Sequence, residues 1–281
     1  MNRDKITDLC GAVIQHGPLS DRIYLMSLGA ADPLTVISGL HSLAEQNNYS
    51  KLFAKVPADI STHFLDSGFM EEARVPGMYN NSQDVLFMGK FLHPDRGRIA
   101  DREKINHVLH VCETKKDLGH GKSSSKFSLR ILRESNCREM AEIYRRVFKS
   151  YPFPITDPEY LLETMRSHVV YAGVFREEKL IALASAEIDT AEGHAELTDF
   201  ATLSDHQGSR LSGHLLEFLL GHLQEHPGLN IQTGYTIARA VSYGMNITFA
   251  RSGFSFGGTL INNTNISGNM ESMNVWYKKL L

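Results

Sequence analysis

One passage of the chain, residues 196–223 (ELTDFATLSDHQGSRLSGHLLEFLLGHL), does most to limit what it can fold into. Its second part repeats Leu211, Leu215, Leu219 and Leu223 every four residues, with Leu216 and Leu220 beside them, the apolar stripe of a helix packed on a sheet. Ahead of it Leu197, Phe200 and Ala201 supply the apolar part of a short strand. Between strand and helix lie Gln207, Gly208, Ser209, Arg210, Leu211 and Ser212, mostly small or polar, where the first helical N–H groups lack an intrahelical partner. A helix start of that kind holds anions and suits a pyrophosphate.

The remaining pattern alternates strands and helices. Strands are expected at 21–27, 49–56 and 84–92, a helix at 33–46 with Asp32 as cap and Pro33 first, a short helix through Phe64, and a charged helix at 101–112. Residues 113–126 (ETKKDLGHGKSSSK) are polar, carry Gly and Ser, and are expected to be a linker. GHGKSS within it is like the end of a phosphate-binding P-loop, but Lys116 stands where the leading glycine is required and no apolar strand precedes it, which excludes that motif. Beyond the linker, strands are expected at 127–132, 169–175, 180–188, 230–237 and 272–280, and helices at 137–148 and 240–252. The expected class is mixed α/β, with an N-terminal domain over 1–112 and a C-terminal one over 127–281. Phe64-Leu65-Asp66-Ser67-Gly68-Phe69 matches Phe249-Ala250-Arg251-Ser252-Gly253-Phe254, and Met88 to Leu92 is similar to Trp276 to Leu280, so the first half reads as a degenerate, non-catalytic copy of the second.

Charge and cysteine usage exclude several classes. Against 29 Lys+Arg stand 32 Asp+Glu, a net charge of −3 that offers no footprint for nucleic acid or an acidic membrane surface. Cys10, Cys112 and Cys137 are odd in number and widely spaced, which leaves neither a disulfide framework nor a CxxC metal site and fits a reducing cytoplasm. The most apolar early run, 23–40, is broken by Asp32 and Pro33, whereas a membrane span takes about 20 apolar residues. Residues 1–8 are charged and no signal peptide is expected. Thirteen histidines include no HExxH, so no metal is expected.

The block FATLSDHQGSRLSGHLL resembles motif A of the GCN5-related N-acetyltransferase (GNAT) superfamily, Gln/Arg-x-x-Gly-x-Gly/Ala between a strand and a helix, and residues 127–281 follow that fold's element order. The tail from Ala238 (ARAVSYGMNITFARSGFSFGGTLINNTNISGNMESMNVWYKKLL) is similar to the β-lysine acetyltransferases, which make Nε-acetyl-β-lysine as a compatible solute. The resemblance implies a mostly antiparallel sheet flanked by helices, acetyl-CoA as cosubstrate, and a cofactor site at Ala201, Thr202, Gln207, Gly208, Ser209, Arg210, Leu211, Ser212 and Ser242. Gln207 meets the first motif position, Arg210 stands at the usual first glycine, and Phe249 stands where the superfamily usually has an acid tyrosine. The assembly implied is a monomer with an internal pseudo-dimer, or a homodimer.

The chemistry needs a base. An amine of lysine type has a pKa near 10.4, so deprotonation at pH 7 costs about 4.6 kcal/mol. Glu196, eleven residues before Gln207 on the strand entering motif A, has the spacing of the catalytic glutamate in the histone-acetylating branch of the superfamily, and the resemblance implies it as the base; Asp199 is the alternative, facing the other side of a regular strand unless a bulge turns it. Tyr243 and Tyr235 are candidate acids, although a core or rim packing role is the commoner one for each. Asn262, Asn263, Asn265 and Glu271 form a polar cluster for the substrate, with Arg239 for its carboxylate; the asparagines taken singly read as a turn. Lysine, ornithine and polyamines are alternative acceptors. A non-catalytic acetyl-CoA-binding regulator is the alternative class.

Overall fold

The computed structural model describes residues 4–121, 126–266 and 268–280. The first half runs β1 (Lys5–Leu9), β2 (Ala12–Gly17), β3 (Arg22–Ser27), α1 (Pro33–Asn47), β4 (Lys51–Pro57), α2 (Ser61–Asp66), β5 (Met70–Tyr79), β6 (Gln83–Phe91) and α3 (Arg102–Lys115). The second runs β7 (Ser128–Ile131), α4 (Cys137–Val147), α5 (Pro158–Ser167), β8 (Val169–Arg176), β9 (Lys179–Asp189), β10 (His194–Thr202), α6 (Leu211–Glu225), β11 (Thr233–Arg239), α7 (Tyr243–Arg251), β12 (Ser255–Ile266) and β13 (Asn269–Lys279). Among the described residues the strands form one 13-stranded, mostly antiparallel sheet, ordered β1-β2-β3-β4-β6-β5-β12-β13-β11-β10-β9-β8-β7. The expected mixed α/β class, with its helix-flanked sheet, is what the chain adopts.

The two halves have one topology. β3 and β4 are parallel and joined by α1, as β10 and β11 are parallel and joined by α6, because a parallel pair needs a crossover long enough to carry a helix. β6 then returns antiparallel between β4 and β5, as β13 returns between β11 and β12. The sequence repeat lies on this equivalence. Phe69 N–H donates to Phe64 O at 3.0 Å and Phe254 N–H to Phe249 O at 3.1 Å, while Gly68 and Gly253 take φ of 82° and 77°, the left-handed turn that ends a helix. Each phenylalanine pair then stacks edge to face, at 5.3 Å and 5.2 Å.

The halves join edge to edge through β5 and β12. Gly258 makes that approach possible, since a Cβ there would lie 2.3 Å from the Glu72 carbonyl oxygen. Beside it the buried Lys51 Nζ reaches Glu72 Oε2 at 2.7 Å and the Ile261 carbonyl at 2.7 Å, while Ile261 N–H donates to Glu72 Oε1 at 2.8 Å. One ion pair thus binds β4, β5 and β12 together.

Alternate residues on one face of β3 (Arg22, Tyr24), β4 (Phe53, Lys55), β10 (Glu196, Thr198) and β11 (Tyr235, Ile237) all border a single cavity. Strands so distant in the sheet order share a space only if the sheet curls. Its concave side is filled by Tyr24, Phe53, Val75, Phe87, Tyr235 and Val275, drawn from both halves. Helix α6 buries its leucine stripe against Ala172, Ala184 and Leu197, on the face of β8–β10 opposite to the one covered by α4 and α5 through Met140, Tyr144 and Leu161.

Several elements differ from the sequence reading. β1, β2, β5 and α5 were not expected, and residues 262–265 lie in strand β12 rather than in a turn, with the chain reversing after Ile266. Val108 and Cys112 of α3 belong to the core of the second half. The beginning of the expected linker is anchored there too, with Asp117 N–H on Ala250 O at 3.1 Å, Gly119 N–H on Arg251 O at 3.0 Å, and the His120 ring against Ser252 Oγ at 2.9 Å. Residues 122–125 of that linker, with part of GHGKSS, lie outside the described residues.

Candidate active site

The cavity at the centre of the curled sheet has a volume of about 490 Å³. The first half contributes Arg22, Tyr24 and Lys55, and the second Glu187, Glu196 and Asp199. Glu196 is the register partner of Glu187 across the β9–β10 ladder, an arrangement of like charges that ordinarily destabilises a sheet. Burial first, then repulsion from Glu196 and Asp199, pushes the Glu187 carboxyl well above the usual carboxylate range, against the pull of Lys55. Burial likewise raises Glu196, to about 6, opposed by the Tyr235 hydroxyl and the Lys55 charge. Tyr235 Oη donates to Glu196 Oε2 at 2.9 Å, and among the described residues Glu196 Oε1 has no hydrogen-bond partner. A carboxyl with one bound oxygen, one open oxygen and an ionisation near neutrality is equipped to accept a proton.

Asp199 reaches the same cavity through an irregularity. The register of β10 on β9 shifts between Thr198 and Ala201, and Asp199 takes a φ of 56°, so the alternation of the strand breaks and both Thr198 and Asp199 face inward. Its oxygens are engaged, Oδ1 by the Tyr151 hydroxyl at 2.5 Å and Oδ2 by the Ser185 hydroxyl at 2.8 Å. Burial raises its pKa while these two bonds lower it.

Next to the carboxylates the sheet opens. β10 pairs with β11 only over His194–Glu196 and Thr233–Tyr235; farther on, each strand keeps its other neighbour and the two part. Beyond the gap comes the helix-start turn. Among the described residues the N–H groups of Gly208, Ser209, Arg210, Leu211 and Ser212 meet no acceptor, and residues 207–210 are exposed. Arg210 adopts a φ of 57°, the conformation for which a glycine is usual, and its guanidinium turns away from the turn to the His120 carbonyl at 3.3 Å. These free amides at the start of α6 match the needs of a pyrophosphate.

The Acetyltransferase (GNAT) family profile matches residues 134–241. Over 98% of its own length and 98% of the relative's, the chain is 38% identical to a β-lysine N(6)-acetyltransferase of Methanococcus maripaludis. The chain belongs to the GNAT acetyltransferase family. It is also 29% identical to the N-acetyltransferase YodP of Bacillus subtilis over 96% of each chain, and 28% identical to a β-lysine N(6)-acetyltransferase of Methanosarcina mazei over 87% of this chain and 97% of that one. This GNAT protein is an acetyl-CoA-dependent N-acetyltransferase.

The other expected site residues of the GNAT enzyme are scattered. Ala201 and Thr202 sit on β10 at the gap, and Asp199 and Asn263 border the cavity. Arg239 and Glu271 hold each other, Nε to Oε2 at 2.7 Å, and neither borders the cavity. Asn262 binds the carbonyls of Arg96 and Arg98 at 2.8 and 2.7 Å, and Asn265 accepts from Ser150 at 3.0 Å, so the asparagine run stitches β12 to loops of both halves. Ser242 caps α7, its hydroxyl accepting from Met245 N–H. Tyr243 follows it, 37% exposed, with its hydroxyl on His107 of α3 and outside the cavity wall. Phe249 is fully buried against Phe200 and Phe254. The sequence reading missed Glu187, Arg22 and Lys55, each a lone charge in a short strand with no motif around it.

The first half lacks the corresponding equipment. Phe91 and Lys279 fall at the same place in the repeat; Lys51 pairs with the former and Thr233 with the latter, which sets Tyr24 where the second half has Glu196. At the start of α1 the Asp32 carboxylate accepts from Thr35 N–H at 2.8 Å, so a side chain of the protein already occupies the anion position.

Proposed function

We propose that this acetyltransferase moves the acetyl group of acetyl-CoA to the N6 amine of β-lysine, by direct attack in a complex that holds both substrates at once. The observation that carries the reading is the half-satisfied carboxyl of Glu196, raised to about 6 and set in an acidic cavity beside the gap between β10 and β11. The names of the relatives at 38% and 28% identity support the substrate.

Each group then has a task. Glu187 and Glu196 attract the ammonium end of the substrate, and Glu196 Oε1 takes the proton that leaves the nitrogen, offsetting the cost of about 4.6 kcal/mol of deprotonating such an amine at pH 7. The amides of 208–212 hold the pyrophosphate, and β10 backbone around Ala201 and Thr202, open on its β11 side, lines the gap toward the reacting carbonyl. Bound acetyl-CoA supplies an acyl group on a thiolate that leaves readily, since a thiol with a pKa of about 8.5 needs little protonation near neutral pH. Tyr235 steadies Glu196, and neither it nor Tyr243 is required as an acid. Positioning provides the remaining acceleration.

The first half, residues 1–112 with the linker after it, acts as a degenerate GNAT copy that closes the substrate cavity, making the monomer an internal pseudo-dimer. β-Lysine carries two ammonium groups and one carboxylate; acetylation leaves a neutral zwitterion, suited to accumulation as a compatible solute in the cytoplasm. Thiol release from acetyl-CoA, followed with β-lysine, lysine, ornithine and spermidine and ranked by kcat/KM, tests the assignment. β-Lysine is expected first; a higher rank for spermidine would contradict it.

A further inference from the structure

We propose that Arg22, with Asn263 beside it, seats the carboxylate end of the acceptor, so that the first half of the chain selects an amino acid over a plain diamine. The proposal rests on the reading that a β-amino acid is the acceptor. It concerns a residue from the half that lacks the transfer equipment.

Arg22 is 5% exposed and stands in the cavity wall. Other buried cations of the first half have carboxylate partners, Lys51 in Glu72 and Arg96 in Asp21. Arg22 has none among the described residues. One of its terminal nitrogens donates to the Asn263 carbonyl at 2.7 Å, the other to Gln15 Oε1 at a long 3.4 Å, and Nε meets no acceptor. Asn263 Oδ1, buried in the same wall, is also unpartnered among the described residues. A desolvated guanidinium without an anion is a costly arrangement that an incoming carboxylate relieves. Desolvation accordingly lowers its pKa to about 10. The rings of Tyr24 and Phe53, with centroids 5.2 and 5.4 Å from the guanidinium carbon, hold the fork in place.

The cavity wall therefore offers both kinds of charge. The second half lines it with Glu187, Glu196 and Asp199; the first half with the anion-free Arg22, with Tyr24 next to it on the same face of β3. β-Lysine has matching ends, an N6 ammonium on a three-carbon arm and a carboxylate beside the C3 ammonium. With the carboxylate on Arg22, the C3 ammonium is offered to Asn263 Oδ1, the acceptor left open there. Lys55 is the weaker candidate, since burial lowers its pKa and the field of the nearby carboxylates, Glu196 foremost, already acts on its charge. Arg239 is engaged by Glu271.

The test compares kcat/KM for β-lysine and for 1,4-diaminopentane, which is β-lysine without its carboxylate. In the wild type β-lysine is expected to be the better substrate. In Arg22→Gln the ratio is expected to fall by about 100-fold, with KM for β-lysine carrying the loss, as for removal of one partner from a buried charged contact. An unchanged ratio, or an equal loss on both amines, overturns the proposal. Should Arg22→Gln fail to fold, Arg22→Lys keeps the charge but not the fork, and the ratio is expected to fall by about 10-fold; an unchanged ratio there is equally fatal. If the wild type leaves β-lysine untouched, the functional reading fails separately. The subsite is then decided by the amine the enzyme does accept: one without a carboxylate overturns it, and one with a carboxylate upholds it if Arg22→Gln lowers its preference over the decarboxylated analogue.

Discussion

Glu187 and Glu196 face each other directly across the β9–β10 ladder, both bordering the central cavity. Without a ligand cation this pair opposes folding, and both carboxyls are raised by burial and by their neighbours' charge. Under the proposed mechanism the cluster gives up stability for binding and proton transfer.

Replacing one of the two is expected to stabilise the protein. Glu196 ionises near 6 in the fold against 4.5 for a free glutamate, so the native state holds the proton more tightly. Its favourable contribution is complete below pH about 4.5 and is lost as pH rises through 6, leaving a cost of about 1–2 kcal/mol at pH 7.5. Glu196→Gln should raise Tm by a few degrees at pH 7.5 and by nothing at pH 4.5, measured by thermal unfolding in both buffers. A lower Tm at pH 7.5 would mean that the charge is well solvated.

Tyr235→Phe removes the one hydrogen bond among the described residues that holds the ionisation of Glu196 down. The acidic limb of kcat/KM should shift to higher pH, while the buried ring keeps its contacts with Phe87 and His194. A limb that stays in place would separate the phenol from the carboxyl's titration.

The seam between the halves has its own test. Lys51 and Glu72 are 0% and 1% exposed, and breaking such a pair leaves an uncompensated buried charge. Lys51→Met is expected to cost about 3–5 kcal/mol in chemical denaturation, and adding Glu72→Leu to recover most of it. If the double variant is no more stable than the single one, the hydrogen bonds from Ile261 rather than the ion pair hold the seam.

Much of this architecture is legible in the sequence, for identifiable reasons. The leucine ladder of α6 fixes a helix on a sheet, Asp32-Pro33 marks the start of α1, and the two Ser-Gly-Phe turns disclose a duplicated topology. β12 was hidden because its asparagines follow turn chemistry; a bulge between Leu260 and Thr264 and a φ of 42° at Asn262 let them serve in a strand that borders the seam. In the cavity, Glu196 could be placed because its distance from the helix-start turn matches the superfamily it resembles, and Asp199 only conditionally, since no pattern announces a bulge. Glu187, Lys55 and Arg22 were illegible: their meaning comes from a sheet that curls until β3 and β4 confront β9 and β10, a long-range relation without a local signature.

The central claim is that Glu196 removes the proton from the attacking amine. Its most direct test is kcat/KM for β-lysine in wild type and Glu196→Gln, measured from pH 6 to pH 9 with saturating acetyl-CoA. The wild-type profile is expected to lose activity as pH falls through about 6. The variant should be impaired by about 100-fold at pH 7 and distinctly less at pH 9, where more of the amine is already neutral. Equal impairment at both pH values, with the acidic limb retained, would contradict the account.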